Sequence, residues 1–376
     1  MKVLIATPLY PPEIGGPATY TTMLERELPA RNIEVTTLPF STVRRYPRGL
    51  RHLAYSWKLF WASRHADIVH VLDPVSVGVP AYLVHRLCRV PYVLRVSGDY
   101  AWERAALGDE EPEPPHEFVV REGHDRVTRL LQAVQARVAR RACAITTPSR
   151  YLKDVIAAWG VDDERITVVY NPGPQPQGSA ARATARAALG YDDRTPLVVT
   201  AGRCIPLKRF DGVIDAFTSV REHVSDARLA VVGDGPLLPV LKEQAGMFPA
   251  GAVNFPGRVD AGTMQQYLAA ADVFVLNSTH ETFPHMLLEA IAAGAPVVAC
   301  PVGGNPEIIK SAGAGGVLVP SGDTAALAAA ITRLLVEPGY ASQVRERASA
   351  TLERFRQSGI IEQIAPILVD AAAPRS

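Results

Sequence analysis

Short apolar runs of five to eight residues recur along this chain, most of them followed by a stretch of helical periodicity, and the whole alternation occurs twice. The first series comprises KVLIAT (2–7), EVTTLPF (34–40), DIVHVL (67–72), PYVLRVS (91–97), CAITT (143–147) and ITVVYNPG (166–173). The second comprises LVVTAGR (197–203), RLAVVGDG (228–235), VNFPGR (253–258), DVFVLN (272–277), PVVAC (296–300) and GGVLVP (315–320). Strands that read as continuous apolar runs need both faces covered, and intervening helices supply the cover, which is the signature of parallel, doubly wound α/β sheets. Between the series, QPQGSAARATARAALG (175–190) begins as a linker and becomes a helix that Gly190 stops. A chain of 376 residues, 48% hydrophobic, also suits two cores better than one. The expected division is therefore 1–175 and 176–339, each Rossmann-like, with a helical segment at 340–376 that packs back across one of them, the N-terminal domain being the expected partner. Such sheets bind ligands beyond the C-terminal ends of their strands, so two facing sheets would enclose an interdomain cleft.

Bulk properties narrow the function. No apolar run reaches the roughly 18–20 residues of a membrane helix, and MKVLIATPLYPPE reads as a first strand rather than a signal peptide. Cys88, Cys143, Cys204 and Cys300 are scattered, without the spacing of a zinc site or disulfide scaffold, so a reducing cytoplasm is the simplest home. A net charge of +1 gives no reason to invoke nucleic acid. The charge is unevenly spread, however: between Phe40 and Arg95 nine Lys/Arg face two Asp. The acidic, proline-rich DEEPEPPHE (109–117) reads as a loop.

Three features of the second series carry chemistry. In AGRCIPLKRF, Arg203 and Lys208 follow a strand and stand five residues apart. Two cations there suit a diphosphate held from both sides, although a solvated loop would look the same. VVGDGP (231–236) is a strand, a Gly-rich turn and a helix start; Gly233 permits close backbone approach, and an ordinary turn is the alternative. In HETFPHMLLEA (280–290), Glu281 lies in a loop after DVFVLN, and Pro284 suits the first turn of the helix that follows. Glu289 sits inside that apolar helix, where a carboxylate needs a partner such as a pair of ligand hydroxyls. The free amides of His285, Met286 and Leu287 suit a phosphate. The alternative is a capping acid and a core-edge Glu bonded to protein groups.

With these motifs, and with PPEIGG, FPGRV, GAPVVAC and PVGGNPEII, nearly the whole chain resembles the retaining glycosyltransferases of family 4, which have the GT-B fold of two facing Rossmann-like domains. The resemblance implies that Arg203 and Lys208 bind the donor diphosphate and stabilise it as it leaves. It implies further that Glu289 accepts hydrogen bonds from ribose hydroxyls and Glu281 from the transferred sugar. The amides at His285, Met286 and Leu287 would serve sugar or phosphate, Gly15 and Gly16 would allow close approach to the diphosphate, and Arg258 and Val259 would meet the base. The donor would be a UDP-, GDP- or other NDP-sugar, used without cofactor or metal. The acceptor, a glycan, a lipid-linked molecule or a small molecule, would fall to the N-terminal domain.

Two departures stand out. Pro284 removes a backbone N–H where relatives have Gly. RVSGDY (95–100) has no His near Ser97, where relatives place one against the donor sugar, and Asp99 is the nearest side chain that could polarise an acceptor hydroxyl, with helix capping as its alternative role. The basic stretch 42–64 contains a helix from Leu50 with Leu53, Trp57 and Phe60 or Trp61 on one side among Arg51, Lys58 and Arg64. That composition suits an anionic membrane surface, hence peripheral attachment at the inner face, or else a core-facing aromatic stripe. A redox epimerase would carry G-x-G-x-x-G after the first strand, and a glycogen-type phosphorylase would be far longer. A non-catalytic nucleotide-sugar-binding partner subunit of a glycan assembly system remains the alternative to an enzyme.

Overall fold

The computed structural model describes residues 1–13, 15–106, 112–174, 180–310 and 315–373. They form two compact units, residues 1–171 with 357–376 and residues 172–356. The first begins with β1 (Lys2–Thr7), α1 (Gly16–Glu27), β2 (Glu34–Pro39) and α2 (Arg51–Ser63). It continues through β3 (Ile68–Val71), α3 (Gly78–Cys88), β4 (Tyr92–Arg95), α4 (Tyr100–Ala106) and α5 (Pro115–Phe118). It then runs through α6 (Arg126–Arg141), β5 (Ala144–Thr147), α7 (Arg150–Ala158) and β6 (Ile166–Val168). The strands form one parallel sheet in the order β2-β1-β3-β4-β5-β6. Val69, Val71 and Leu94 point into a core closed by Tyr55 and Leu59 of α2, Ala81 and Val84 of α3, and Val138 of α6. The side-chain alternation of strands turns His70 and Arg95 to the other face.

The second unit opens with α8 (Ala180–Leu189), β7 (Leu197–Ala201), α9 (Phe210–His223), β8 (Arg228–Val232) and α10 (Leu238–Gln244). There follow β9 (Val253–Gly257), α11 (Ala261–Ala270), β10 (Val273–Leu276), α12 (His285–Ala292) and β11 (Val297–Ala299). The series closes with α13 (Asn305–Ile309), β12 (Val317–Leu318), α14 (Thr324–Val336) and α15 (Pro338–Leu352). This sheet too is parallel, in the order β12-β11-β10-β7-β8-β9. The helices start where sequence chemistry allows: Asp260 and Asp323 cap α11 and α14 by accepting from the Thr263 and Ala326 amides. Gly190, at φ 74°, takes the left-handed conformation that ends α8. That helix is anchored by a residue with no signal in sequence. The buried Arg186 donates to the carbonyls of Ala270, Asp192, Asp193 and Thr195 and pairs with Asp272 at 2.6 Å.

The C-terminal segment, expected to be helical over 340–376, comprises two α-helices among the described residues. It divides at Arg356 and Gln357, so α15 belongs to the second unit, and α16 (Gln357–Ala372) to the first, where it packs on β3 and β4. Apolar periodicity specifies a helix but not the sheet it covers. In the acidic loop, 109–111 lie outside the described residues, and the stretch after them ends in the single turn of α5 rather than in open loop.

Candidate functional site

In the second unit the order β10-β7-β8-β9 sets four strand-end loops side by side, although β10 comes last of the four in sequence. The loop after β7 carries Arg203 and Lys208, that after β8 Gly233, that after β9 Arg258 and Val259, and that after β10 Glu281. Backbone bonds tie the row together. Gly202 N–H donates to Val232 O, Gly233 N–H to Gly257 O, and Thr279 N–H to Leu207 O, each at 2.9 Å. Gly233, at φ 141°, has no room for a side chain, since a Cβ would come within 1.8 Å of Gly202 O. The turn expected at VVGDGP thus serves to clamp β7 and β8 at their C-terminal ends.

Lys208 closes a 3₁₀ turn (Pro206–Lys208), and its Nζ pairs with Glu281 Oε1 at 2.5 Å. Their side chains are only 23% and 11% exposed, so the pair is largely withdrawn from water. Arg203 is exposed and forms no side-chain hydrogen bond or ion pair with any described residue. Asn277, buried, donates to Arg209 O at 3.0 Å and fixes the loop after β7 against that after β10.

Glu281 is backed by two glycines. A Cβ on Gly303, at φ 52°, would lie 1.5 Å from Glu281 O, and one on Gly304 would lie 2.4 Å from Thr282 O. Gly304 N–H donates to Glu281 O at 3.1 Å. These positions were legible in sequence only as the paired glycines of PVGGNPEII. Pro284 stands one place earlier than expected, as the residue before α12, with an extended backbone (φ −77°, ψ 116°) and no side-chain cap. His285, Met286 and Leu287 form the first turn of α12. Glu289, one turn further, is half-buried, and its carboxylate has no hydrogen-bond or ion-pair partner among the described residues. Burial pushes its pKa upward.

In the first unit Gly15 and Gly16 stand at the start of α1, with Pro17 in its first turn. Ile14, within PPEIGG, lies outside the described residues. Asp99 is 2% exposed and accepts from the Trp102 amide at 3.0 Å, the Gln135 amide at 2.8 Å and the Trp159 indole at 3.2 Å. These bonds match the helix-capping role that is the alternative for Asp99. Three donors already occupy the buried carboxylate, which caps α4 and ties it to α6 and to the end of α7. The neighbouring Glu103 was missed by sequence reading. Its Oε1 lies over Gly98, where a Cβ would come within 2.0 Å. The residue as a whole is exposed, yet its carboxyl is closely surrounded by protein. Desolvation, with Asp73 and Asp99 adding repulsion, raises its pKa to about 7. Among the described residues no group of three or more His, Cys, Asp or Glu is placed to hold a metal ion.

Fold and site together define a class. Residues 14–172 match the family model Glycosyltransferase Family 4, and residues 181–351 match Glycosyl transferases group 1. The chain is a sugar-transferring enzyme of the GT-B fold, related to both groups. It is similar to the N-acetyl-alpha-D-glucosaminyl L-malate synthase of Bacillus anthracis, at 28% identity over 98% of this chain and 97% of the relative. Among solved structures it resembles Anabaena Alr3699/HepE in complex with UDP, with a TM-score of 0.76 and 20% identity over 98% of this chain and all of that one. It also resembles sucrose-phosphate synthase from Thermosynechococcus elongatus, with a TM-score of 0.79 and 19% identity over 99% of this chain and all of that one.

Proposed function

We propose that the chain transfers a sugar from a nucleotide-diphosphate-sugar to an acceptor hydroxyl with retention of anomeric configuration. The observation that carries this reading is the pairing of Lys208 with Glu281, on the same row of strand-end loops and helix α12 as Arg203 and Glu289, whose side chains have no partner among the described residues. Cations for a diphosphate and carboxylates for hydroxyls are thus grouped at one sheet end. Arg203 and Lys208 hold the diphosphate, Glu289 accepts from the ribose, and Glu281 accepts from the transferred sugar. Gly15, Gly16, Gly233 and the first amides of α12 give backbone access to the donor, and Arg258 and Val259 meet the base. UDP in the Anabaena structure favours a UDP-, GDP- or other NDP-sugar as donor.

Retention can follow from two inversions through a covalent intermediate or from attack on the face the leaving group departs from. The second route fits better, because a carboxylate engaged by an ammonium at 2.5 Å is a poor nucleophile. The anomeric C–O bond breaks with its electron pair going to the diphosphate. The acceptor oxygen bonds to the anomeric carbon on the same face, and its proton passes to the departing phosphate oxygen. Lys208 and Arg203 stabilise the growing negative charge, a contribution worth a few kcal/mol in sites of this kind.

The first unit takes the acceptor, a glycan, a lipid-linked molecule or a small molecule. No helix among the described residues is long and apolar enough to cross a membrane. On α2, however, Leu53 is 63%, Trp57 64% and Trp61 50% exposed, with Arg64 stacked over the Trp61 ring at 5.4 Å. This face suits attachment to an anionic bilayer from the cytoplasmic side.

The test is a thermal-shift screen against nucleotide-sugars, followed by NMR of the product's anomeric configuration with the stabilising donor. An α-linked product from an α-linked donor is expected, formed equally well with a chelator present. Stabilisation without hydrolysis or transfer to any acceptor would instead favour a non-catalytic partner subunit.

A further inference from the structure

Two cavities of the first unit, whose linings share Arg140 and Arg141, serve no part of this reading. One is a groove of about 590 Å³ between α3 and α6, walled by Val79, Tyr82, Leu83, Ala133, Val134 and Val138 and ending at Arg137, Arg140 and Arg141. The other is a cavity of about 960 Å³ that shares Arg140 and Arg141 with the groove and adds Arg86, Arg89 and Arg165. It lies at the opposite end of the sheet from the Ser97–Asp99 loop, since its wall includes Asp67, Pro91, Cys143 and Arg165, the residues immediately before β3, β4, β5 and β6.

Five guanidinium groups, those of Arg86, Arg89, Arg140 and Arg141 exposed and that of Arg165 half-buried, give this cavity a positive field that an anion would neutralise. Among the described residues, which here include Ala371 and Ala372 of α16 and Ala373 after it, the one carboxylate in its wall is Asp67, which already accepts from the Lys2 amide at 2.6 Å. The side chains of Arg86, Arg89, Arg140 and Arg141 form no hydrogen bond or ion pair with any described residue. Arg165 is held by the carbonyls of Arg140 and Ala142, which fixes its fork in the wall. The field also reaches the groove: a hydrogen bond from Arg137, reinforced by Arg86 and Arg141, lowers the pKa of Tyr82. Guanidinium forks match the oxygens of a phosphate monoester or diester. The groove beside them is lined mainly by apolar groups and leaves Leu83 38% exposed. A free inorganic anion would leave that groove wet.

We propose that the two cavities form one binding site for an anionic amphiphile, with a phosphate headgroup on the arginines and a hydrocarbon chain in the groove. Charge complementarity selects the head, and apolar burial selects the chain. The site takes a single lipid molecule and needs neither a bilayer nor the sugar donor, so its failure and that of the transfer reading are separable.

The experiment is titration calorimetry of the full chain with monomeric dihexanoyl phosphatidic acid, and with inorganic phosphate and dihexanoyl phosphatidylcholine as controls. The phosphatidic acid is expected to bind at least tenfold more tightly than either control, with an affinity that falls as salt rises. The Arg140→Gln/Arg141→Gln variant should weaken it by about tenfold or more. Ala133→Trp, at an exposed position of the groove wall, should weaken the amphiphile while leaving phosphate binding unchanged, and that unchanged binding also reports an intact fold. Equal affinity for phosphatidic acid and phosphate would reduce the feature to a simple anion patch and overturn the proposal, as would unaltered lipid binding in both variants.

Discussion

Lys208 Nζ lies 2.5 Å from Glu281 Oε1, an ion pair spanning 73 residues of sequence and formed by the loops after β7 and β10. Because both side chains are mostly buried, either one alone is a poorly solvated charge. Lys208→Ala should lower kcat by about 10²–10³ under saturating donor, the usual effect of removing an oxyanion-stabilising donor. In chemical denaturation Lys208→Met and Glu281→Gln should each destabilise, and the double variant should lose less than their sum, with a coupling of about 0.5–3 kcal/mol. Strict additivity would show that the pair does not act as a unit.

Glu289 should show the opposite trade. Burial raises its pKa, so the ionised form is held at a cost in the free protein, and at neutral pH that cost opposes folding. Glu289→Gln should leave the melting temperature of the unliganded chain unchanged or higher, while donor affinity falls about tenfold or more through loss of charge-assisted bonds. Calorimetry with the donor beside a thermal melt checks both, and a destabilised variant with normal affinity would assign Glu289 to the core.

Gly303→Ala places a methyl group where Glu281 O now stands. The loop carrying Glu281 must shift, so turnover and melting temperature should both fall. A conservative change at the exposed Gly322, which has nothing within 4 Å of its Cβ position but a similarly positive φ of 80°, provides the control for backbone strain alone. Gly303→Ala should cost activity that Gly322→Ala does not.

His70 gives the first unit a pH dependence. The residue is fully buried, and burial, with Arg95 adding repulsion, pushes its pKa from 6.5 down to about 3. The folded chain therefore keeps it neutral while the unfolded chain takes up a proton. Its contribution is intact above pH 6.5 and is lost as pH falls from 6.5 towards 3, by up to about 1.4 kcal/mol per pH unit. Denaturation midpoints of His70→Gln should fall less steeply than those of the parent over that range.

The aromatic face of α2 predicts sedimentation with vesicles containing anionic lipid, weakened by salt. Trp57→Ser/Trp61→Ser should remove it without altering the melting temperature, since both side chains are at least half exposed. Absence of pelleting at low salt would rule this surface out as a membrane contact.

Much of the fold could be read directly from the chain. Buried parallel strands appear as uninterrupted apolar runs and helices as periodic ones, and Gly190 ends α8 where its left-handed backbone is required. The residue types of the site were likewise visible, because cations after β7 and carboxylates after β10 flank recognisable strand ends.

What sequence alone determined was thus local: periodicity, turn chemistry and the kinds of side chain each loop presents. The tertiary structure decided which of them meet. Placing β10 beside β7 joined Lys208 to Glu281, and closing α6 and α7 over α4 turned Asp99 inward onto the Gln135 amide and the Trp159 indole. It also divided the C-terminal segment at Gln357. An apolar face records that it must be covered and an acid records that it needs a partner, but neither names the distant residue that does so. That choice follows from strand order and from the competition among buried groups for the same contacts.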